Sequence, residues 1–499
     1  MLFKKSISLL VDEAKEIGEG TLKRTLTSYH LVALGVGAII GAGLFSLTGI
    51  VAAENAGPAV TISFVLAALV CGLAGLCYAE FASMIPVAGS AYTYSYATMG
   101  EWVAWIIGWD LVLEYALGAA TVAVSWSQYF SRFLGGFGLN IPQFLLHGPW
   151  ETYETATGLT ETGLINLPAV IIVCLLSLLL IRGTAESSFV NNMLVIVKLA
   201  VVLIFICLGW SFMDSANHTP FIPTNPGEEL LKSGQIGLFD FFKEGYFGEY
   251  GITGIMRGAG VVFFAFIGFD AVSTAAQEAK NPQRDMPIGI IGSLIVCTII
   301  YFLFSFVMTG LANYTEFEND ASPVTTAFAV TGYTFLNQFL MIAILTGYTS
   351  VILVMLLGQS RVFYSMSKDG LLPKLFSDLS KKQTPWKTNL IFMIFVSAFA
   401  GFVPISDLGH MVSIGALFAF SLVCIGVVIL RKTDPNAYRP FKTPLVPFIP
   451  VLGVIVCILL MGSLPVESWE RLGIWMAIGI TIYLVYGKKH SKIRNGNKL

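Results

Sequence analysis

The feature that most constrains this chain is an apolar stretch near its N-terminus that contains four glycines. Residues 31–45 read LVALGVGAIIGAGLF, with Gly35 and Gly37 in the first part and Gly41 and Gly43 in the second. Glycine costs about 1 kcal/mol relative to alanine inside a helix, and it allows backbone conformations that other residues resist. Backbone left unpaired at membrane depth survives only where it lines a cavity or is buried in protein. We therefore interpret Gly35 and Gly37 as packing residues, and Gly41 and Gly43 as a break in a membrane helix.

A second interrupted apolar stretch lies in the middle of the chain. Residues 261–274 read VVFFAFIGFDAVST, with Gly268 two positions before the acidic Asp270. Paired interrupted spans in corresponding halves of a chain are the best sequence indication of a transporter's binding site. The two stretches together predict a carrier of small solutes.

The composition indicates an integral membrane protein. Hydrophobic residues make up 55% of the 499 residues, charged residues only 12%, and the mean hydropathy is +0.75. Apolar runs long enough to cross a hydrocarbon core of about 30 Å recur along the whole length. The fold class that we predict is all-α, with about twelve transmembrane helices. The predicted spans cover 30–53, 58–83, 101–131, 166–182, 188–210, 253–277, 287–311, 333–360, 388–404, 408–430, 446–464 and 470–487.

Charge placement gives the predicted orientation. Most of the 29 Lys and Arg residues lie in loops on the same side as the two termini. The positive-inside rule then places both termini in the cytoplasm and the protein in the plasma (inner) membrane. These charges need no nucleic acid as a partner, and the lipid bilayer is the expected surrounding.

The two interrupted spans enter the membrane from opposite sides, as an inverted five-plus-five repeat with discontinuous first and sixth helices requires. This gives a predicted division of the chain. It comprises a cytoplasmic segment 1–29, a first repeat 30–210, an external loop 211–252, a second repeat 253–430, two added spans in 431–487 and a cytoplasmic tail 488–499.

Four long motifs resemble a known family. They are GVGAIIGAGLF, the segment YAEFASMIPVAGSAYTYSYATMGEWVAWIIGWDLVLEY, FFAFIGFDAVSTAAQEAKNPQRDMPIGI and LLGQSRVFYSMSKDGLLP. The chain resembles the amino acid–polyamine–organocation (APC) superfamily and, within it, bacterial members of the cationic amino acid transporter subfamily. The resemblance implies amino acid transport without a cofactor, and it leaves room for a small accessory membrane peptide. No metal-ligand or nucleophile pattern suggests an enzyme.

An amino acid presents a carboxylate and an ammonium to its receptor. The N–H groups that begin a half-helix are suited to the carboxylate, and here these are the backbone of Gly41, Ala42 and Gly43. Carbonyls at the ends of the other half-helices suit the ammonium. The resemblance places these carbonyls at Ile40, Phe264, Ala265 and Ile267.

The same resemblance suggests two residues for the wall of the site. Phe266 is a candidate lid, and Val354 in span 8 is a candidate pocket wall. Both also fit ordinary core packing. Val354 offers no partner to a cationic side chain, which weakly favours a neutral substrate.

One lysine, Lys198, lies near the middle of span 5, where a charge costs about 2.5–3.5 kcal/mol. The resemblance places its ammonium where sodium-coupled relatives bind Na⁺, against carbonyls of span 1 and near Thr349 or Ser350. Burial penalises the charged form and contact with water restores it, so Lys198 is a candidate for coupling proton entry to transport. A permanently charged strut is the alternative.

Two carboxyl groups also lie inside predicted spans. Glu114 in span 3 is a candidate proton acceptor or a partner for a cationic substrate tail, although a structural carboxyl between helices fits equally. Asp270 follows the break of span 6 and either organises it through hydrogen bonds or binds a second proton. Asp110, one turn before Glu114, is interpreted as structural.

The sequence thus predicts a proton-coupled importer of L-amino acids that works by alternating access. A neutral substrate such as alanine is preferred. Transport of arginine, lysine or ornithine and amino acid exchange remain open, as does a receptor that binds amino acids without transport.

Overall fold

A computed structural model describes most of the chain. The described residues are 3–6, 26–85, 87, 90–154, 159–182, 187–225, 227, 230–231, 233, 246–274, 276, 279–318, 320, 322–380 and 384–496. Much of the predicted cytoplasmic segment 1–29, part of the predicted external loop 211–252 and the end of the tail lie outside these residues.

The described part of the chain is mostly helical, and its helices follow the twelve predicted spans in order. Spans 1 to 6 are formed by Ser28–Ile39 with Gly43–Leu47, Thr48–Val51 and Ala52–Ala56; Val60–Met84; Glu101–Val112 with Leu113–Leu117 and Gly118–Gly135; Leu167–Arg182; Ser187–Gly209; and Gly251–Val262 with Phe263–Phe266 and Ala271–Thr274. Spans 7 to 12 are formed by Pro282–Leu311; Thr334–Lys368; Trp386–Phe402; Ile405–Thr433; Phe448–Ser463; and Val466–Ile482 with Tyr483–Gly487 and Lys488–His490.

Short elements connect these spans. The helical ones are Gly57–Ala59, Ser90–Thr98, Gln143–Leu145, Trp210–Phe212, Ser215–His218, Tyr314–Phe317, Pro323–Ala329 and Lys374–Ser377. Thr152–Glu154 and Thr160–Thr162 form an antiparallel hairpin between spans 3 and 4, with Thr152 opposite Thr162.

Length and composition alone make seven of the described helices able to cross a membrane. Shorter apolar helices supply span 4, span 9 and the first half of span 1, and spans 11 and 12 meet at an angle of 113°. Spans 4, 11 and 12 carry large apolar side chains on the outside of the bundle, which suits contact with lipid. Examples are Ile171, Leu175, Leu178, Leu179, Ile455, Ile458, Leu459, Ile474 and Ile478.

Helix packing repeats between the two halves. Spans 2, 3 and 4 pack against spans 7, 8 and 9, respectively. Span 1 contacts spans 5 and 7, and span 6 contacts the corresponding spans 10 and 2. Span 3 contacts span 10, and the corresponding span 8 contacts the corresponding span 5. These matched pairs give the two interrupted helices equivalent places beside each other at the centre of the bundle.

Both ends of the described chain meet on one side of the molecule, which we call the terminal face. The Glu101 amide donates to the Phe3 carbonyl (2.9 Å), and the Arg494 guanidinium lies 4.6 Å from the centre of the Phe3 ring. The Lys5 ammonium forms a buried ion pair with Asp369 at 2.8 Å. The terminal face is therefore closed by segments that are far apart in sequence.

Candidate functional site

Span 1 is interrupted where its glycines predict. The first half ends at Ile39, and Ile40 turns the chain into an extended conformation, with φ −72° and ψ 105°. The second half begins with a wide π-helical turn, and the amides of Leu44 and Phe45 both donate to the Gly41 carbonyl. The N–H groups of Gly41, Ala42 and Gly43 thus lie where a helix begins and leaves its donors without intrahelical acceptors.

Span 6 is interrupted at the matching place. A tight 3₁₀ turn over Phe263–Phe266 ends the first half, and Ile267 is extended. Gly268 follows with φ +110°, a conformation that only glycine adopts easily. A Cβ on Gly268 would also lie 3.0 Å from the Ala38 carbonyl oxygen of span 1. Both conformation and close packing therefore require glycine here.

The two interrupted helices touch directly. A Cβ on Gly43 would lie 2.3 Å from the Ala265 Cα and 2.4 Å from its Cβ. Gly41 is less crowded, since a Cβ there would approach Val351 of span 8 at 3.4 Å. Backbone of span 1 therefore rests on backbone of span 6, and Gly43 makes this contact possible.

Side chains from other spans bind the carbonyls at the end of the first half of span 1. The Lys198 ammonium donates to the carbonyls of Gly37 (2.8 Å) and Ile40 (2.7 Å). The Tyr301 hydroxyl lies 2.9 Å from the Ile39 carbonyl. A cation is stabilised at this place because the C-terminal end of a helix carries partial negative charge.

Lys198 is almost fully buried, with 1% of its surface exposed, and it also touches span 8. A Cβ on Gly347 would lie 3.0 Å from the Lys198 Cε, so the lysine side chain fills the space that this glycine leaves. The hydroxyls of Thr349 and Ser350 donate within span 8, to the carbonyls of Leu345 and Gly347. Among the described residues, Lys198 therefore donates to two carbonyls of span 1. Ser350 donates to the carbonyl of Gly347, the glycine against which the lysine side chain packs.

The carbonyls predicted to bind the substrate ammonium already accept hydrogen bonds. Ile40 accepts from Lys198, Ala265 from the Tyr301 hydroxyl (2.7 Å) and Phe264 from the Ile267 amide (3.1 Å). A carbonyl oxygen has two lone pairs, so each can accept a second bond. An arriving ammonium would share these oxygens with groups of the protein.

Two acidic side chains, Glu114 and Asp270, are buried together near the break of span 6. Glu114 and Tyr115 lie in a wide π-helical turn of span 3, a feature that is frequent at functional sites. The carboxyl of Glu114 adjoins that of Asp270, which accepts a short hydrogen bond from the Tyr115 hydroxyl and a longer one, 3.4 Å, from Ser90. Two carboxyls in contact away from water resist carrying two negative charges.

Asp110 lies one turn along the same helix, beside span 10. Its Oδ1 would be 3.3 Å from a Cβ on Gly415. In the described part of the chain, both carboxyl oxygens of Asp110 and of Glu114 have no partner with hydrogen-bond geometry. Glu114 faces Asp270 and the break, whereas Asp110 faces span 10.

The two predicted wall residues lie in different surroundings. Phe266 is fully buried, with ring centres 5.0 Å from Tyr301 and 6.4 Å from Phe64. Val354 is half-buried in span 8, one turn beyond Val351. The structure places Val351 against Gly41, so Val351 is a span 8 side chain in contact with the break.

Sequence reasoning missed Tyr301, Tyr115 and Val351. A signal for Tyr301 was present, because a phenol hydroxyl deep in the apolar run SLIVCTIIYFLFSFV needs a partner. Tyr115 is adjacent to Glu114 and was open to the same argument. Val351 carried no signal, since one aliphatic residue in an apolar helix resembles any other.

The chain is similar to known proteins over most of its length. The profile of the amino acid permease family matches residues 26–485. The branched-chain amino acid permease BcaP of Bacillus subtilis is 43% identical over 491 residues, which are 98% of each chain. A methylthioribose transporter of the same organism is 39% identical over 489 residues, again 98% of each chain. The vacuolar cationic amino acid transporter 4 of Arabidopsis thaliana is 37% identical over 424 residues, 85% of this chain and 66% of that protein.

Proposed function

The chain belongs to the amino acid permease family, and from this premise we propose that it imports neutral L-amino acids together with protons. The proposed route is alternating access around the two breaks, with both termini in the cytoplasm and the protein in the plasma membrane. Substrate carboxylate binds the N–H groups of Gly41, Ala42 and Gly43. Substrate ammonium binds carbonyls at Ile40 and in the segment Phe264 to Ile267.

The observation that carries the proton coupling is the position of Lys198. Its ammonium is buried on two carbonyls of the broken helix and packs against Gly347 of span 8. When water reaches this place the lysine can release or take up a proton, and the bonds to Gly37 and Ile40 then weaken or strengthen. Protonation and the geometry of the break are thereby linked.

Two observations support a neutral substrate. Val351, which lies against Gly41, is apolar. Of the two Bacillus relatives, the branched-chain amino acid permease has the higher identity to this chain. One observation favours a cationic substrate instead, namely the buried carboxyl of Glu114, which lies against Asp270 near the break of span 6. The competition experiment below separates the two substrate classes.

The test is uptake of radiolabelled L-alanine and L-leucine into liposomes that contain the purified protein, with and without an inward proton gradient. We expect uptake to rise with the gradient and the Lys198→Ala variant to lose this response. Lys432→Ala, which removes an exposed lysine at the end of span 10, is the matched control and should respond like wild type.

Competitors separate the remaining possibilities. Competition by L-arginine at the concentration of L-alanine, abolished in Glu114→Gln, would move the substrate to the cationic class. Uptake that ignores pH but needs internal amino acid would mean exchange and would overturn the role of Lys198. Competition by methylthioribose alone would overturn amino acid recognition, because that sugar has neither carboxylate nor ammonium.

A further inference from the structure

Tyr301 connects the two interrupted helices through a single hydroxyl. Its Oη lies 2.9 Å from the Ile39 carbonyl of span 1 and 2.7 Å from the Ala265 carbonyl of span 6. Ile39 is the last residue of its half-helix, and Ala265 lies in the turn that ends the first half of span 6. The phenol therefore bridges the two breaks at the place proposed for the substrate ammonium.

The ring of Tyr301 is held firmly. It is fully buried and packs edge to face on Phe64, with ring centres 5.3 Å apart, and at 5.0 Å from Phe266. Span 7, which carries it, is an uninterrupted helix over Pro282–Leu311. The hydroxyl is thus a fixed point between two segments whose own backbone hydrogen bonds are interrupted.

A phenol has one proton and can donate one full hydrogen bond at a time. Two buried carbonyls compete for this proton, and a buried carbonyl without a donor is unfavourable. An ammonium brings three donors. When it binds beside Ala265, it satisfies that carbonyl and leaves the phenol proton to Ile39.

We infer that Tyr301 is a positioning residue that stands in for the substrate ammonium while the carrier is empty. This inference rests on the proposed function. In the empty carrier the phenol shares its one proton between the two carbonyls, so it keeps the two breaks together. In the loaded carrier the substrate ammonium donates to the Ala265 carbonyl, and the phenol donates to Ile39 alone.

This role of Tyr301 should affect net uptake and exchange differently. Net uptake requires the empty carrier to return across the membrane, whereas exchange returns it loaded. Removing the phenol hydroxyl therefore slows the empty return and spares the loaded one. A residue needed only for the shape of the site would affect both modes alike.

The experiment compares Tyr301→Phe with wild type in liposomes, for net uptake into empty vesicles and for exchange against internal unlabelled L-alanine. We expect net uptake to fall about tenfold and exchange to change by less than about twofold. Tyr129→Phe is the matched control, because its hydroxyl donates at 2.6 Å to one carbonyl, that of Phe45, beyond the break. It should change the two modes in equal proportion.

If Tyr301→Phe loses both net uptake and exchange, or loses neither, the inference is wrong. The proposed function still holds in that case, provided that the wild type shows proton-driven uptake. The same selective loss in Tyr129→Phe would also overturn it. A wild type that takes up no amino acid would remove the proposed function instead. The melting temperature of the protein without substrate then tests the role of Tyr301. A larger decrease in Tyr301→Phe than in Tyr129→Phe supports the inference, and an equal decrease contradicts it.

Discussion

The centre of the molecule and its terminal face are both buried and polar, yet different groups hold them together. At the centre, backbone carbonyls are bound by a phenol, an ammonium and amides, and most oxygens there can accept more than one donor. At the terminal face, full charges meet in fixed pairs. The centre is therefore better able to rearrange than the terminal face.

Glu80 illustrates the terminal side of this comparison. Its carboxylate binds Arg431 through two hydrogen bonds, 2.9 and 2.8 Å, and lies 3.2 Å from Arg439. It also accepts from the Thr443 amide at 2.7 Å. Loss of Glu80 would leave Arg431 and the buried Arg439 without their carboxylate, whereas a carbonyl at the breaks that loses one donor can accept another. The centre is therefore suited to repeated change, whereas the charged cluster around Glu80 resists it.

The largest effect should come from separating the breaks. Gly43→Val places side-chain atoms where Ala265 backbone lies, so spans 1 and 6 must move apart. We expect uptake to fall at least about 100-fold, because misplacement of about 1 Å already costs this much in catalytic sites. Uptake is measured at equal amounts of protein in the membrane. Gly72→Ala, which meets nothing within 4 Å, should transport normally, and a normal Gly43→Val would contradict the close contact.

The next effect tests the fixed charges. Glu80→Ala leaves Arg431 and the buried Arg439 without their carboxylate, and we expect a loss of about 3 kcal/mol in the free energy of unfolding. Chemical denaturation in mixed micelles measures this. Arg471→Ala, which breaks a partly exposed pair with Asp407, should cost less than about 1 kcal/mol. Equal losses in both variants would remove the distinction between buried and exposed pairs.

A smaller effect tests how the terminal face opens. Lys5→Ala removes the ion pair with Asp369, although Asp369 still accepts from the Tyr92 hydroxyl at 2.6 Å. We expect faster amide hydrogen exchange in the helix Ser90–Thr98, by about fivefold, with little change in overall stability. The double variant Lys5→Asp with Asp369→Lys restores the pair and should restore protection. Unchanged exchange in Lys5→Ala would mean that this pair does not close the face.

The smallest effect sharpens the description of the centre. Thr349→Val and Ser350→Ala remove hydroxyls that donate to carbonyls of their own helix. Because Lys198 keeps both of its span 1 acceptors, proton-driven uptake should change by less than about twofold. A loss of the response to the gradient in either variant would show that these hydroxyls act on the lysine after all.

The sequence predicts the helices better than the contacts between them. Glycine spacing located both breaks, because the conformation of Gly268 and the crowding at Gly43 are local demands on the backbone. The sequence predicts that span 7 begins at residue 287. It begins instead at Pro282, with Asn281 at its N-terminal cap, and Pro287 is accommodated inside it.

Contacts across the bundle were less accessible to sequence reasoning. The resemblance indicated that Lys198 faces span 1, but its two acceptors depend on the tilt of span 5. The bridge made by Tyr301 depends on the relative positions of three helices. The meeting of Phe3 and Arg494 joins the two ends of the chain, and no local pattern contains that information.

Lys198 is part of the chain, so its positive charge remains at the break of span 1. A cation that is covalently tied to the chain stays at its carbonyls at an effective concentration set by geometry, whatever the ionic composition of the surrounding water. Such a cation cannot cross the membrane and depart, so it cannot draw work from a gradient of its own kind. Only its proton can leave. If this site drives accumulation, the energy must come from the difference in proton electrochemical potential across the membrane.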